Sequence, residues 1–185
     1  GGGLGGGSSD AATTLLALNR LWRLGLPRAA LLELGLELGA DVPVFLGGWA
    51  AWAEGLGERL TALPRLPEPW YLVVCPSVHA STAEAFADPK LTRNRPPVTI
   101  SDFSHGRCGN AFEAVVEARH PEVAQARAWL EERAGPARMS GSGACLFSEL
   151  PGPEPGRQAL EALPAGWRGV VTRGMNRHPH ADWAA

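Results

Sequence analysis

The stretch GGGLGGGSSDAATTLLALNRLW, residues 1–22, decides how the rest of the chain is read. Six of its first seven residues are glycine, the residue that loses most conformational freedom on ordering, so a run of them before a helix serves a close backbone approach. The helix itself is marked by Leu15, Leu18 and Trp22 on one stripe, widened by Leu16, Leu21 and Leu24. Ser9 or Asp10 stands where a cap would, and Gly25 with Pro27 marks the stop. A glycine loop entering a helix start leaves unpaired N–H groups at the positive end of the helix dipole, an arrangement that binds phosphate.

Three phosphate loops can be told apart by their residues. Gly1 to Gly6 formally satisfies GxGxxG, but no strand stands before it and glycines this dense satisfy many patterns. A Walker A loop needs Lys followed by Ser or Thr after its last glycine, whereas Gly7 is followed directly by Ser8. A flexible Gly/Ser linker is the competing reading. Fusion to a well-formed helix, and the small Ala11 and Ala12 that permit close packing, favour phosphate binding over it.

Composition sets the outer limits. The chain has 185 residues, 45% hydrophobic and 19% charged, enough for one or two domains with a core. A net charge of -2 and a pI near 6.2 argue against general nucleic-acid or membrane-surface binding, and no apolar run reaches membrane-spanning length. Cys75, Cys108 and Cys145 are odd in number and widely spaced, which predicts three reduced, packed thiols in a cytoplasmic protein. His79, His105, His120, His178 and His180 show no metal spacing, so no protein-held metal ion is expected; His178 and His180 read as a solvated tail. Lys90, the one lysine, reads as a surface charge in ADPKLTRNRPP.

Further along, PRAALLELGLEL predicts a helix opened by Pro27 and ended by Gly39. Asp41, two residues before Pro43, suits the N-cap of a short helix. WAAWAEGLGERLTAL predicts two short strands around a Gly55/Gly57 turn. The Pro-rich PRLPEP is the best domain break, giving domains 1–62 and 63–185. Beyond it come a buried strand in WYLVVCP, a short helix in STAEAFADP capped by Ser81 or Thr82, and a loop through TRNRPPVTISDFSHGRCG. Two helices in NAFEAVVEARH and PEVAQARAWLEERAG follow, then a second small-residue loop, MSGSGACLFSEL, running into a strand. A helix in PGRQALEALPAG and the strand WRGVVTRG complete the pattern. The alternation predicts an α+β fold with one sheet covered on one face by helices.

Taken together, the glycine loop, LGADVPVF, EGLGE and SGSGACLF resemble the GHMP kinase superfamily over essentially the whole chain. The triple-glycine, Leu, triple-glycine, Ser-Ser form is similar to the branch that phosphorylates a cytidine-diphosphate-linked polyol in isoprenoid precursor biosynthesis. The resemblance implies a GHMP kinase fold with an incomplete N-terminal domain, followed by a C-terminal α/β sandwich domain. In the family a strand-rich portion with a lysine precedes the glycine loop, so this chain is expected to be inactive as a kinase alone and marginally stable.

What the resemblance implies for individual residues is specific. Gly1, Gly2, Gly3, Leu4, Gly5, Gly6, Gly7, Ser8 and Ser9 match the ATP loop, with Mg²⁺ accompanying the nucleotide. Asp41 matches the catalytic aspartate that takes the proton of the substrate hydroxyl, where N-capping competes as its role. Phe86 falls where an aromatic stacks on the cytosine ring; from spacing alone it would be a core phenylalanine. Gly141, Ser142 and Gly143, with Ser140 and Ala144, match the second glycine motif, which packs behind the phosphate loop. The implied partners are ATP and the cytidine-diphosphate-linked polyol, with no nucleic acid and no membrane. Two other functions remain open: a kinase of another small alcohol, and an inactive nucleotide-binding fragment.

Overall fold

The structure is a computed structural model and describes residues 2–104 and 107–183; Gly1 of the ATP loop and His105 lie outside the described residues. Two compact units emerge, one made of Gly5–Glu68 with Met175–Ala185, the other of Gly1–Leu4 with Pro69–Gly174.

In the first of these, α1 (Gly6–Leu21), α2 (Arg28–Leu38) and α3 (Val42–Gly47) pack on one another. Ala12, Leu16, Leu31, Val42 and Leu46 form the buried centre, with Leu15 and Phe45 against it. Pro27 caps α2 as its fixed φ suits a helix entry, and Gly39 follows its last residue. By contrast, α1 starts at Gly6 with Gly5 as N-cap, so Ser9 and Asp10 lie inside the helix and cap nothing. The apolar stripe also ends sooner than the spacing predicts: Leu21, Trp22 and Leu24 are exposed, because the chain leaves the helix at Trp22. Buried Asn19 holds that exit, donating to Leu26 O and accepting from Leu26 N–H.

The hairpin forms as expected, β1 (Ala51–Glu54) pairing antiparallel with β2 (Arg59–Ala62). The segment from Met175 is not a solvated tail. Ala50 N–H donates to Asn176 O, His178 N–H donates to Gly48 O, and Arg28 donates to the carbonyls of Leu46 and Ala181. A short 3-10 helix, Ala181–Trp183, ends the described chain.

The other unit is a four-stranded antiparallel sheet with helices packed on it. Strands β3 (Trp70–Cys75), β4 (Ala137–Met139), β5 (Leu146–Leu150) and β6 (Arg168–Arg173) stand in the order β4-β5-β3-β6. Side chains alternate across the pleat, so Leu72 and Val74 share a face with Leu146, Ser148 and Leu150, and this face is buried. Helices α6 (Glu113–Arg119), α7 (Pro121–Ala134) and α8 (Pro153–Glu161) accompany it, with Val116, Val123, Ala126, Leu130 and Ala159 in the shared core.

Two shorter helices complete the unit: α4 (Thr82–Ala87), whose first turn Ser81 Oγ caps by accepting from Glu84 N–H, and α5 (Ile100–Ser104). The latter lies in a stretch expected to be loop. Its start is a reciprocal cap, Thr99 N–H to the Asp102 carboxylate and Asp102 N–H to Thr99 Oγ1, which a Pro-rich context obscures.

The cysteine expectation is corrected. Cys75 and Cys145 form a disulfide and Cys108 alone is free. Register explains it: Val74 pairs with Leu146, so the next positions along the two strands face each other although 70 residues separate them in sequence.

Candidate active site

Four glycines carry the geometry of the glycine loop. Gly3 has φ +74°, and a Cβ there would lie 2.1 Å from Ser140 O. Ser140 Oγ donates to Gly3 O at 2.7 Å, and Cys145 N–H donates to Gly2 O. The second glycine motif thus packs on the Gly2–Gly3 backbone, and absence of side chains is what lets the two meet. Gly6 and Gly7 differ: a Cβ at either meets nothing within 4 Å, and both are exposed. The first intrahelical bond of α1 runs from Ser9 N–H to Gly5 O, so the N–H groups before it have no partner within the helix. The result is an open cradle of N–H groups at the positive end of a 16-residue helix, an arrangement suited to an anion. Ser8 and Ser9 are half-buried in its first turn.

Asp41 occupies the N-cap position of α3 but makes no side-chain capping bond, and it is exposed. Four residues on, Phe45 lies under the loop; its ring would be 3.2 Å from a Cβ at Gly5. Positions four apart share a helix face, so Asp41 sits one turn before the residue that touches the loop. The hairpin turn presses on the same place. Gly57 has φ +112°, and a Cβ there would be 2.1 Å from Ala40 O, immediately before Asp41. The EGLGE segment, weak as a motif, therefore has a positional role that sequence reasoning missed. Arg177 lies over the Trp49 ring at 5.6 Å and both line a cleft of about 250 Å³ beside Phe45 and His178. Burial pushes the His178 pKa down, and His180 adds to this.

In the sheet unit, Phe86 is 58% exposed on α4, which corrects the core reading of its spacing; Ala85 is the buried neighbour. It meets Phe112 edge-to-face, centroids 4.8 Å apart, leaving ring surface open to solvent. The second glycine motif lies in the same unit, and Ser142 Oγ shares a hydrogen bond with Thr82 Oγ1 at 2.6 Å. Asp88 follows α4, buried; the Lys90 N–H and then Arg119 hold its carboxyl below the usual carboxylate range. Among the described residues no cluster of three His, Cys, Asp or Glu could hold a metal ion.

Comparison with known proteins fits this geometry. Residues 1–48 match GHMP kinases N terminal domain and residues 92–169 match GHMP kinases C terminal. A crystal structure of 4-(cytidine 5'-diphospho)-2C-methyl-D-erythritol kinase superposes with a TM-score of 0.80 at 34% identity, covering 95% of this chain and 68% of that one. The chain belongs to the GHMP kinases. Two curated relatives, each named 4-diphosphocytidyl-2-C-methyl-D-erythritol kinase, come from Nitrosococcus oceani and Nitrosospira multiformis. They are 54% and 53% identical over 95% and 100% of this chain, which spans 62% and 63% of their length. A homoserine kinase from Cytophaga hutchinsonii shares the fold with a TM-score of 0.62 at 16% identity.

Sequence reasoning also passed over Asn110. Its amide nitrogen reaches the end of β4 and the second glycine motif, 29 and 31 residues away, while its oxygen accepts from Phe112 N–H. Lys90 is exposed in the turn after α4, as its context predicts.

Proposed function

We propose that the chain carries the phosphate loop and catalytic aspartate of a 4-diphosphocytidyl-2-C-methyl-D-erythritol kinase, which moves the γ-phosphoryl of ATP to the substrate 2-hydroxyl. The observation that carries the reading is the open cradle at Gly6 and Gly7 with Asp41 one helical turn from the residue beneath Gly5, its carboxylate not spent on capping.

Chemically, the parts divide as follows. N–H groups of Gly6, Gly7 and Ser8 would bind phosphate oxygens, supplying fixed positive dipole where negative charge moves during transfer. The Asp41 carboxylate would accept a hydrogen bond from the substrate hydroxyl, orient it in line, and receive its proton late in a loose transition state. Mg²⁺, held by ATP oxygens with the Ser8 or Ser9 hydroxyl, would neutralise charge on the phosphates. Phe86 would offer its open face to the cytosine ring, since a flat pyrimidine stacks without demanding a particular edge.

The test uses a fusion that supplies, from the Nitrosococcus oceani relative, the part of that protein this chain does not match. Asp41→Ala in the fusion should leave ATP affinity nearly intact and lower kcat by about 10²–10⁴-fold, as expected for a general base. Turnover within about threefold of the parent would reduce Asp41 to a helix-entry residue. Homoserine and other small alcohols, run beside the cytidine substrate, separate this reading from a kinase of a different alcohol. The 185-residue chain alone should turn over slowly, because its one lysine sits on an exposed turn; full activity there would count against that part of the reading.

A further inference from the structure

The side chain of Asn110 ties together two elements assigned to different substrates. Its Nδ2 donates to Met139 O at 3.0 Å and to Gly141 O at 2.6 Å, fixing the strand end and the first glycine of the SGSG motif. Its Oδ1 accepts from Phe112 N–H at 2.9 Å, fixing the residue whose ring supports Phe86. From Gly141 the path to the phosphate loop is short. Gly141 lies against Gly3, where a Cβ would be 3.1 Å from Gly3 O, and the neighbouring Ser140 hydroxyl donates to that same carbonyl. Glu113 assists by accepting from Met139 N–H at 2.8 Å, so the strand end is held through both its polar backbone groups.

We propose that Asn110 is a positioning residue that sets the phosphate loop through Gly141 and Ser140 and, with the opposite end of its amide, sets the nucleobase platform through Phe112. The inference rests on reading Gly1–Gly7 as the ATP loop and Phe86 as the cytosine platform. An amide is the group the position demands. Two carbonyls each need a donor and one N–H needs an acceptor, and the Asn or Gln amide presents two N–H donors beside an acceptor on one planar head. An aspartate would keep the acceptor for Phe112 N–H but set negative oxygen against the carbonyls of Met139 and Gly141. Asn110→Asp therefore breaks one arm and spares the other, while Asn110→Ala breaks both.

The experiment uses the 185-residue chain, with Mg-ATP and cytidine 5'-diphosphate as separate titrants and amide hydrogen exchange as a second readout. Asn110→Asp should weaken Mg-ATP by about tenfold or more, the scale of stranding hydrogen-bonding groups, with cytidine 5'-diphosphate affinity within about twofold of the parent. Asn110→Ala should weaken both. Exchange at the Ser140, Gly143 and Cys145 amides, each bonded within this assembly, should quicken in both variants. Equal weakening of both titrants by Asn110→Asp, or none of either, overturns the inference. A parent chain that binds neither nucleotide counts against the proposed function alone, and the exchange arm then decides: unchanged rates in Asn110→Asp refute the positioning role. Should Asn110→Ala fail to fold, the aspartate variant carries the test by itself.

Discussion

Replacing Gly3 and Gly6 separately by alanine should split two jobs that the glycine run combines. At Gly3 the backbone has φ +74°, which costs an L-residue about 1–2 kcal/mol. The new methyl would also sit 2.1 Å from Ser140 O, a backbone atom that cannot swing aside, and relieving this breaks the Ser140 Oγ bond to Gly3 O. Overpacking of about 1–3 kcal/mol and a lost hydrogen bond of about 1 kcal/mol bring the total to about 3 kcal/mol or more. At Gly6 nothing lies within 4 Å of the methyl and the residue is the first of α1, so stability should hold or rise by up to about 1 kcal/mol. Ligand binding should behave in the opposite sense. A methyl at Gly6 fills the space a phosphate oxygen needs, and losing one charge-assisted hydrogen bond weakens binding by about ten- to a hundredfold. Urea unfolding and a fluorescent Mg-ATP-analogue titration on each variant measure both quantities. Unimpaired nucleotide binding by Gly6→Ala would refute the open-cradle argument, and unfolding of Gly3→Ala within about 0.5 kcal/mol of the parent would refute the packing argument.

Phe86→Ala should weaken cytidine 5'-diphosphate binding by about 1–3 kcal/mol while shifting Tm little, since the ring is mostly exposed; calorimetric titration with a melting curve checks both. The depressed Asp88 carboxyl makes stability pH-dependent in one direction. Its contribution is fully present above the unfolded carboxylate range of roughly pH 4 and is lost as pH falls below that through the lower folded value. Asp88→Asn should flatten the acid side of a Tm-against-pH curve, and an unaltered curve would show that the Arg119 pairing does not matter to folding. Opening the Cys75–Cys145 bond by Cys75→Ser should lower unfolding free energy by up to about 4 kcal/mol, the chain-entropy figure for a loop of this length, read by urea unfolding with and without dithiothreitol.

Local signals in the sequence carried much of this fold. Pro27 and Gly39 bracket α2 to within a residue, the Gly55/Gly57 turn marks the hairpin, and Pro121 with Gly135 bounds α7. Each works because a single residue's φ preference decides a boundary. The failures share the opposite cause. Gly6 and Gly7 open α1 although glycine is a poor helix former, so propensity puts the helix start later than the backbone does, at Ser9 or Asp10. Cys75 and Cys145 meet through strand register, which spacing along the chain does not encode. In the proposed site the loop and Asp41 carry motif signals, whereas the contacts of Asn110 and Gly57 carry none: their partners are backbone atoms of Met139, Gly141 and Ala40, and a backbone atom has no letter in a sequence.

The path of the chain between the two compact units bears on how the protein can be taken apart. The polypeptide passes from one unit to the other at Leu4/Gly5, at Glu68/Pro69 and again at Gly174/Met175. A single cut in the Pro-rich 64–69 stretch, the obvious place for a protease or a cloning boundary, therefore releases neither unit whole. The upstream piece keeps Gly2–Leu4, whose hydrogen bonds to Ser140 and Cys145 it has lost, and the downstream piece keeps Asn176 and His178 without Ala50 and Gly48. Expressed alone, each half would be short of a strip of backbone that belongs with it. Recovery of both on mixing is then the outcome to look for, as in fragment complementation, rather than independent folding of either.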